Sequence, residues 1–281
     1  MTKGELIYAL KERGILESEI VFRDVSRNNG TKKAGVFITT FKRNAVPIFC
    51  LEDLAEMFTW YGDAAAFIIE KTKNACLQID LTKETILSYC FLEAISARNN
   101  KQLLSKVPHE DLLDVAFIVR TTIPDVPNGS VVVSSEMIAN LGIANGELFA
   151  KAKENIRNDF GCLPVSMFLS SILCGDDLTS EMVNEDNQGL YVVRNRRLMY
   201  GASVLAFPEI IGKYVDIIGK DVWIIPTSIH DVMLVEKGDI TSVYLKDLVS
   251  EINGTQLEPD DVLTDSIYSF SRTTREIKIA Q

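Results

Sequence analysis

Asn-Gly turns between short runs of β-branched residues constrain this chain more than any other feature. Asn29-Gly30 separates strand-like residues 20–25 from residues 34–40, and Asn128-Gly129 lies just before another short run at 131–133. Asn-Gly supplies the positive φ angles that a tight turn between antiparallel strands requires. The sequence therefore predicts at least two β-hairpins.

Single helices are predicted between these hairpins. Apolar residues recur at helical spacing in residues 147–158 and 208–218, and Pro208 suits the first turn of a helix. Residues 190–194 and 202–206 are predicted to be two further strands. Because hairpins alternate with single helices and no strict βαβ order occurs, we predict an α+β fold with largely antiparallel or mixed sheets. The helices are expected to pack on these sheets.

The last long helix is predicted at residues 242–252. Its apolar residues are Val243, Leu245, Leu248, Val249 and Ile252. Together they form an apolar stripe of the kind that packs on a sheet.

The length of 281 residues favours two domains or one large domain. Residues 159–188 are the least regular part, since they mix apolar pieces with acidic runs such as Gly175-Asp176-Asp177. We therefore predict an N-terminal α+β lobe at 1–160 and a C-terminal α+β lobe at 161–281. The alternative is one continuous unit.

The chain is acidic, with 29 Lys and Arg residues against 39 Asp and Glu residues and a formal net charge of -10. Broad binding to nucleic acid or to an anionic membrane needs a positive surface, so neither is expected. No apolar run reaches the roughly 20 residues of a membrane-spanning helix. The five cysteines are odd in number and widely spaced. This pattern is typical of reduced thiols, so we expect a cytoplasmic protein.

Ser228-Ile229-His230-Asp231 is the sharpest local cluster of chemically active residues. In a hydrolase or transferase, Ser228 would be the nucleophile and His230 its base, with Asn195 near the site. Neighbouring side chains on a strand point to opposite faces, however, so Asp231 is poorly placed to orient His230. The competing interpretation is a tight turn in which Ser228 and His230 bind loop backbone.

Metal and cofactor sites are not expected. The two histidines, His109 and His230, are far apart and lack a ligand at zinc-site spacing. The sequence contains neither a phosphate-binding Gly-x-x-x-x-Gly-Lys loop nor the dinucleotide fingerprint Gly-x-Gly-x-x-Gly. We therefore predict no metal and no cofactor.

Basic residues gather at two predicted hairpins despite the acidic background. One group contains Lys32 and Lys33, and the other contains Arg194, Arg196 and Arg197. If the hairpins faced one way, these side chains would form a patch for a small anion or an acidic partner. The alternative is that charged hairpin tips keep the edges of the sheet from pairing with other chains.

Several short stretches, in their order and spacing, resemble those of a known family. They are residues 25–30, 99–104, 147–155, 190–196, 200–202, 207–208 and 224–232. Together they are similar to the bacterial domain-of-unknown-function family 5688 over nearly the whole chain. Departures are Arg194 for a Thr, Asp231 for a Glu and Ala144 for a Thr that would cap a helix, so we expect the cap to shift to Asn145. The resemblance implies a cytoplasmic bacterial protein and no particular activity.

Three functions remain open at this point. The first is a non-catalytic module that binds another protein or assembles with itself, since a hairpin-rich body offers exposed edges and clefts. The second is a hydrolase or transferase with a site near Ser228, His230 and Asn195. The third is a sensor of a small molecule or nucleotide that uses the basic hairpin tips.

Overall fold

The computed structural model describes residues 2–40, 46–74, 81–123, 129–168 and 189–280. The helices that lie wholly within these ranges are α1 (Lys3–Lys11), α2 (Leu51–Met57), α3 (Tyr61–Asn74), α4 (Lys83–Tyr89), α5 (Lys101–Leu104), α6 (Ser135–Leu141), α7 (Asn145–Ile156), α8 (Pro208–Ile218) and α9 (Ser242–Thr255). Short 3-10 segments lie at Glu17–Glu19, Asn28–Gly30 and Gly201–Ala206.

The strands form three sheets whose pairings, among the described residues, are all antiparallel. They are β1 (Ile20–Ser26), β2 (Lys32–Ile38), β3 (Phe49–Cys50), β4 (Cys90–Ser96), β5 (His109–Leu112), β6 (Val115–Thr122), β7 (Ser130–Val132), β8 (Phe160–Pro164), β9 (Leu190–Asn195), β10 (Val222–Pro226), β11 (Val232–Glu236), β12 (Tyr268–Phe270) and β13 (Ile277–Ile279). The predicted α+β class is confirmed.

The chain divides into two compact units, of which the first is Met1–Leu81 with Ile123–Gly129. Its sheet has the strand order β1-β2-β3. Helix α1 begins with a capping box, in which Thr2 and Glu5 each satisfy a backbone N–H of the first turn. The buried core of this unit includes Leu6, Leu10, Val36, Ile38, Leu54 and Ile68.

The second unit is Thr82–Thr122 with Ser130–Gln281, and it contains the other two sheets. One has the order β4-β6-β5, with β7 also paired to β6, and the other has the order β13-β12-β10-β11-β9-β8. All seven residues of β4 are buried. The 3-10 segment Gly201–Ala206 contacts β4, β9 and β11, so it lies in the core between strands of both sheets.

Two polar side chains join separate elements of the second unit. Asn155 on α7 donates to the carbonyl oxygens of Leu87 and Cys90 at 3.0 and 2.9 Å, where α4 ends and β4 begins. Asp114, in the turn between β5 and β6, accepts from Thr264 and Tyr268 at 2.5 Å each. Burial opposes ionisation of Asp114, but hydrogen bonds outweigh burial and lower its pKa.

The prediction of a strand at 202–206 was wrong. Residues Gly201–Ala206 form a 3-10 segment whose first five residues are buried. A Cβ at position 201 would collide with the carbonyl oxygen of His230, so glycine is required for this close approach. The segment is apolar because it is buried in the core. A short apolar run predicts a buried strand and a buried helical turn equally well, which explains the wrong prediction.

Smaller differences concern caps and strands that have weak local signals. The N-cap of α7 is Ala144, with no side-chain hydrogen bond, and the expected shift of the cap to Asn145 does not occur. Strands β5 and β8 were not predicted. The proposed boundary at 160/161 stays a prediction, and residues 169–188 of the irregular segment lie outside the described residues.

No helix within the described ranges is both long enough and apolar enough to span a membrane.

Candidate functional site

The Ser-x-His-Asp cluster lies in the turn between β10 and β11, residues 227–231. Ser228 Oγ accepts a hydrogen bond from the backbone N–H of His230 at 2.9 Å. Thr227 Oγ1 donates to the carbonyl oxygen of Asp231 at 3.0 Å. The short polar side chains therefore stabilise the turn through its own backbone.

The imidazole of His230 has a different partner at each nitrogen. Nδ1 accepts the backbone N–H of Tyr200 at 3.1 Å, and Nε2 lies 3.3 Å from Asp261 Oδ1. The neutral ring satisfies both contacts when its proton is on Nε2. Among the described contacts, none joins the ring to Ser228 Oγ.

Opposing effects act on the charge of His230. The hydrogen bond to Asp261 raises the pKa of His230, and burial of the ring opposes that rise. A protonated ring would carry N–H on both nitrogens, so Nδ1 would no longer accept from Tyr200. Proton uptake at His230 is therefore coupled to the conformation of the segment that precedes the 3-10 turn.

Tyr200 occupies a backbone conformation that is unusual for a large residue, with φ of 60°. Its ring lies between three neighbours, with centroid distances of 5.8 Å to Phe91 and 5.6 Å to His230 and a cation–π contact of 5.4 Å to Arg120. These contacts lie on several elements of the second unit, so the ring position depends on tertiary packing.

The Arg120 that contacts the Tyr200 ring also forms an ion pair with a buried carboxylate. Arg120 Nη1 donates to Glu93 Oε2 at 3.0 Å, and the Glu93 side chain is only 5% exposed. Burial raises the pKa of Glu93, and the charge and hydrogen bond of Arg120 oppose that rise. Breaking such a pair is costly because it leaves one charge buried and uncompensated.

Asn195 anchors the chain where β9 ends. Its Nδ2 donates to the carbonyl oxygen of Met199 at 2.7 Å, while its Oδ1 is buried without a hydrogen-bond partner among the described residues. The backbone N of Asn195 would lie 3.1 Å from a Cβ at position 201. Asn195 and Gly201 thus define one tight backbone crossing beside His230.

The basic residues are distributed over both units. Lys32 and Lys33 lie on β2 of the first unit. In the second unit, Arg194 Nε lies 3.9 Å from Asp231 Oδ1, and neither atom has a hydrogen-bond partner within the described ranges. Burial raises the pKa of Asp231, which Arg194 opposes.

The two arginines after β9 differ in their contacts. Arg197 lies 3.6 Å from Asp159 Oδ2 and stacks over Phe91 at 4.8 Å. The backbone N–H of Arg196 donates to the carbonyl oxygen of Asp159 at 2.9 Å. Acidic and aromatic neighbours therefore occupy part of this basic group.

No group of three or more His, Cys, Asp or Glu residues that could hold a metal ion occurs in the described part of the chain.

Helix α9 packs one side on a sheet and exposes apolar side chains on the other. Leu245 and Val249 are buried against the six-stranded sheet with Ile225, Val235 and Ile267. Three further apolar residues of α9 are exposed, namely Val243 at 64%, Tyr244 at 62% and Leu248 at 39%. Ile240, just before the helix, is 41% exposed. We call the face formed by residues 243, 244, 247, 248 and 251 the outer face of α9.

Helical geometry explains this division. Residues separated by four positions lie one turn apart on the same side, which pairs Leu245 with Val249 and Tyr244 with Leu248. Asp247 and Glu251 are both exposed and lie four residues apart on the outer face. The outer face of α9 is therefore apolar along its flank and acidic along its centre.

Sequence reasoning placed Val243 and Leu248 in a packing stripe with Leu245 and Val249. The structure exposes the first pair and buries the second. The spacing of these residues already indicated an exposed apolar surface, because five apolar residues cover more of the helix than contact with one sheet requires.

Comparison with known proteins gives a match to a family model over most of the chain. The model of a family of unknown function, DUF5688, matches residues 3–272. No curated protein matches. No solved structure matches either.

Proposed function

Because the chain belongs to DUF5688, a family of unknown function, we propose its function from its own surface: it is a non-catalytic module that binds another protein. The single observation that carries the proposal is the outer face of α9. A helix that already packs one side on a sheet exposes Val243, Tyr244 and Leu248 on the other. Clustered exposed apolar side chains are typical of interaction sites.

The chemistry of this face suits a protein partner. Tyrosine is enriched where binding energy concentrates, because it brings a large rigid area and a polar end. Leu248 lies one helical turn from Tyr244, so the two side chains form a continuous contact surface. We further propose a cytoplasmic location, which the free thiols of Cys50, Cys90 and Cys162 support.

Site-specific photo-crosslinking in the source organism tests this proposal. Benzoylphenylalanine replaces Tyr244 in one variant and Lys246, exposed on the opposite flank of α9, in a control. We expect a crosslinked product from position 244 that position 246 does not give. A product of twice the chain mass would identify self-association. Equal products from both positions, or none from position 244, would overturn the proposal.

A second candidate is acid–base catalysis at His230, and the contact with Asp261 favours it. A His with a carboxylate at 3.3 Å and a raised pKa has features of a proton-transfer site. A panel of activated esters and phosphoesters, hydrolysed by the wild-type chain and by His230→Gln, is the test. Turnover that disappears in the variant supports this candidate, and identical rates count against it.

A further inference from the structure

We propose that the partner of the outer face of α9 is a cationic amphipathic helix. This inference rests on the proposed function and adds the chemistry of the partner. The exposed surface combines apolar residues with Asp247 and Glu251, and it belongs to a chain of net charge -10. A complementary surface needs apolar residues for the flank and positive charges for the centre.

The positions of the charges favour a helical partner. Asp247 and Glu251 are four residues apart, which corresponds to one helical turn or about 6 Å along the axis. The flank formed by Tyr244 and Leu248 runs in the same direction with the same period. A partner helix that carries Lys or Arg at four-residue spacing beside an apolar stripe would match both the acidic residues and the apolar flank.

A second copy of this chain fits the same surface poorly. In an isologous pair of α9 helices, each outer face would bring Asp247 and Glu251 to the identical face of the other protomer. Like charges facing each other destabilise a contact. Charge complementarity therefore selects a partner different from this chain.

Two positive residues lie near the face. Lys246 follows Val243 by three residues, so it lies at the edge of the face away from Tyr244 and Leu248. Lys237 lies over the Trp223 ring at 4.1 Å, and Trp223 itself donates to the carbonyl oxygen of Ile240 at 3.2 Å. Asp239, next to Ile240, adds one more exposed acidic group at the start of the surface.

The test uses the full chain and two fluorescein-labelled synthetic peptides of 18 residues. One peptide has a Leu stripe flanked by Lys, and the other has the same Leu stripe flanked by Glu. Fluorescence anisotropy at low ionic strength is expected to show at least tenfold tighter binding of the Lys peptide to the wild-type chain. Tyr244→Ser with Leu248→Ser should weaken that binding at least tenfold.

A charge exchange makes the test specific to this face. Asp247→Lys with Glu251→Lys should reverse the preference, so that the Glu peptide binds more tightly. The matched control is Glu52→Lys with Glu56→Lys on α2, which has the same four-residue spacing, exposure and change in net charge. This control should keep the wild-type preference.

Two results would overturn the inference. One is a charge-exchange variant that behaves like its α2 control, and the other is a wild-type chain that binds neither peptide. The crosslinking at position 244 separates this failure from failure of the proposed function. If the same partner is crosslinked in equal yield after Asp247→Lys and Glu251→Lys, the proposed function stands and the cationic helix is refuted.

Discussion

Replacing Gly201 with alanine tests the backbone crossing that places His230. The new Cβ would collide with the carbonyl oxygen of His230 and lie 3.1 Å from Asn195 N and 3.2 Å from Arg194 Cα. All three neighbours are backbone atoms, so no flexible side chain can move aside. The His230 carbonyl or the 3-10 segment must shift instead.

The expected cost follows from the contacts on either side of this crossing. A shift weakens the hydrogen bond from Ala202 N–H to the carbonyl oxygen of Ile229, at 3.3 Å, and the bond from Tyr200 N–H to His230 Nδ1. Two hydrogen bonds contribute about 2 kcal/mol, and overpacking costs about 1–3 kcal/mol more. Alanine has less conformational freedom than glycine in the unfolded chain, which offsets this cost by about 0.4–1 kcal/mol. The sum is a loss of about 3 kcal/mol in the free energy of unfolding.

Urea unfolding followed by circular dichroism measures this loss. The matched control is Gly146→Ala on α7, where an added Cβ meets nothing within 4 Å, and its stability should equal or slightly exceed that of the wild-type chain. Proton NMR of His230 should show a changed ring environment only in the Gly201 variant. A Gly201→Ala chain with the wild-type midpoint and an unchanged His230 spectrum would refute the reasoning.

Three further substitutions test other contacts of the second unit. Asp261→Asn should lower the pKa of His230, because a neutral amide oxygen replaces the carboxylate that favours the protonated ring, and an NMR titration with unchanged pKa would contradict this. Asp114→Asn should lower the free energy of unfolding by about 2 kcal/mol at pH 7, because it removes a charge that accepts two hydrogen bonds. Folding lowers the pKa of Asp114, so the charged side chain stabilises the fold at pH values above its ordinary pKa of 3.8. The difference in the free energy of unfolding between the wild-type chain and Asp114→Asn should therefore shrink as the pH falls below 3.8. Urea unfolding at several pH values measures this trend. Asn155→Ala should lower the free energy of unfolding by about 2 kcal/mol in the same assay, because two backbone carbonyl groups where α4 ends lose their hydrogen-bond donor. An unchanged unfolding midpoint would show that water replaces the Asn155 side chain.

Local patterns predicted most of the elements, and the reasons differ from one element to another. The hairpin β1–β2 follows from its Asn-Gly turn, and α8 follows from Pro208 at its first turn. Both signals act within a few residues, so they are readable without tertiary structure. Strand β8 has no such signal, because its pairing partner β9 begins 26 residues after its last residue Pro164.

The polar cluster at His230 was only partly predictable. The turn of Ser228 and His230 is local, and its backbone hydrogen bonds are the kind that short polar residues form. The partners Tyr200 and Asp261 come from segments about 30 residues away on either side, and nothing near His230 in the sequence identifies them. The exposed apolar residues of α9 were readable as a pattern, but burial depends on where the sheet lies.

The backbone of Tyr200 has a consequence for which residues position 200 can accept. Glycine would relieve a left-handed conformation that costs other residues roughly 1–2 kcal/mol. It would also empty the space between Phe91, Arg120 and His230, where two ring contacts contribute about 0.5–1.5 kcal/mol each beyond the area that they bury. A library that varies only this position should therefore enrich aromatic residues, whereas a design method that scores backbone angles alone would choose the glycine that the surrounding packing disfavours.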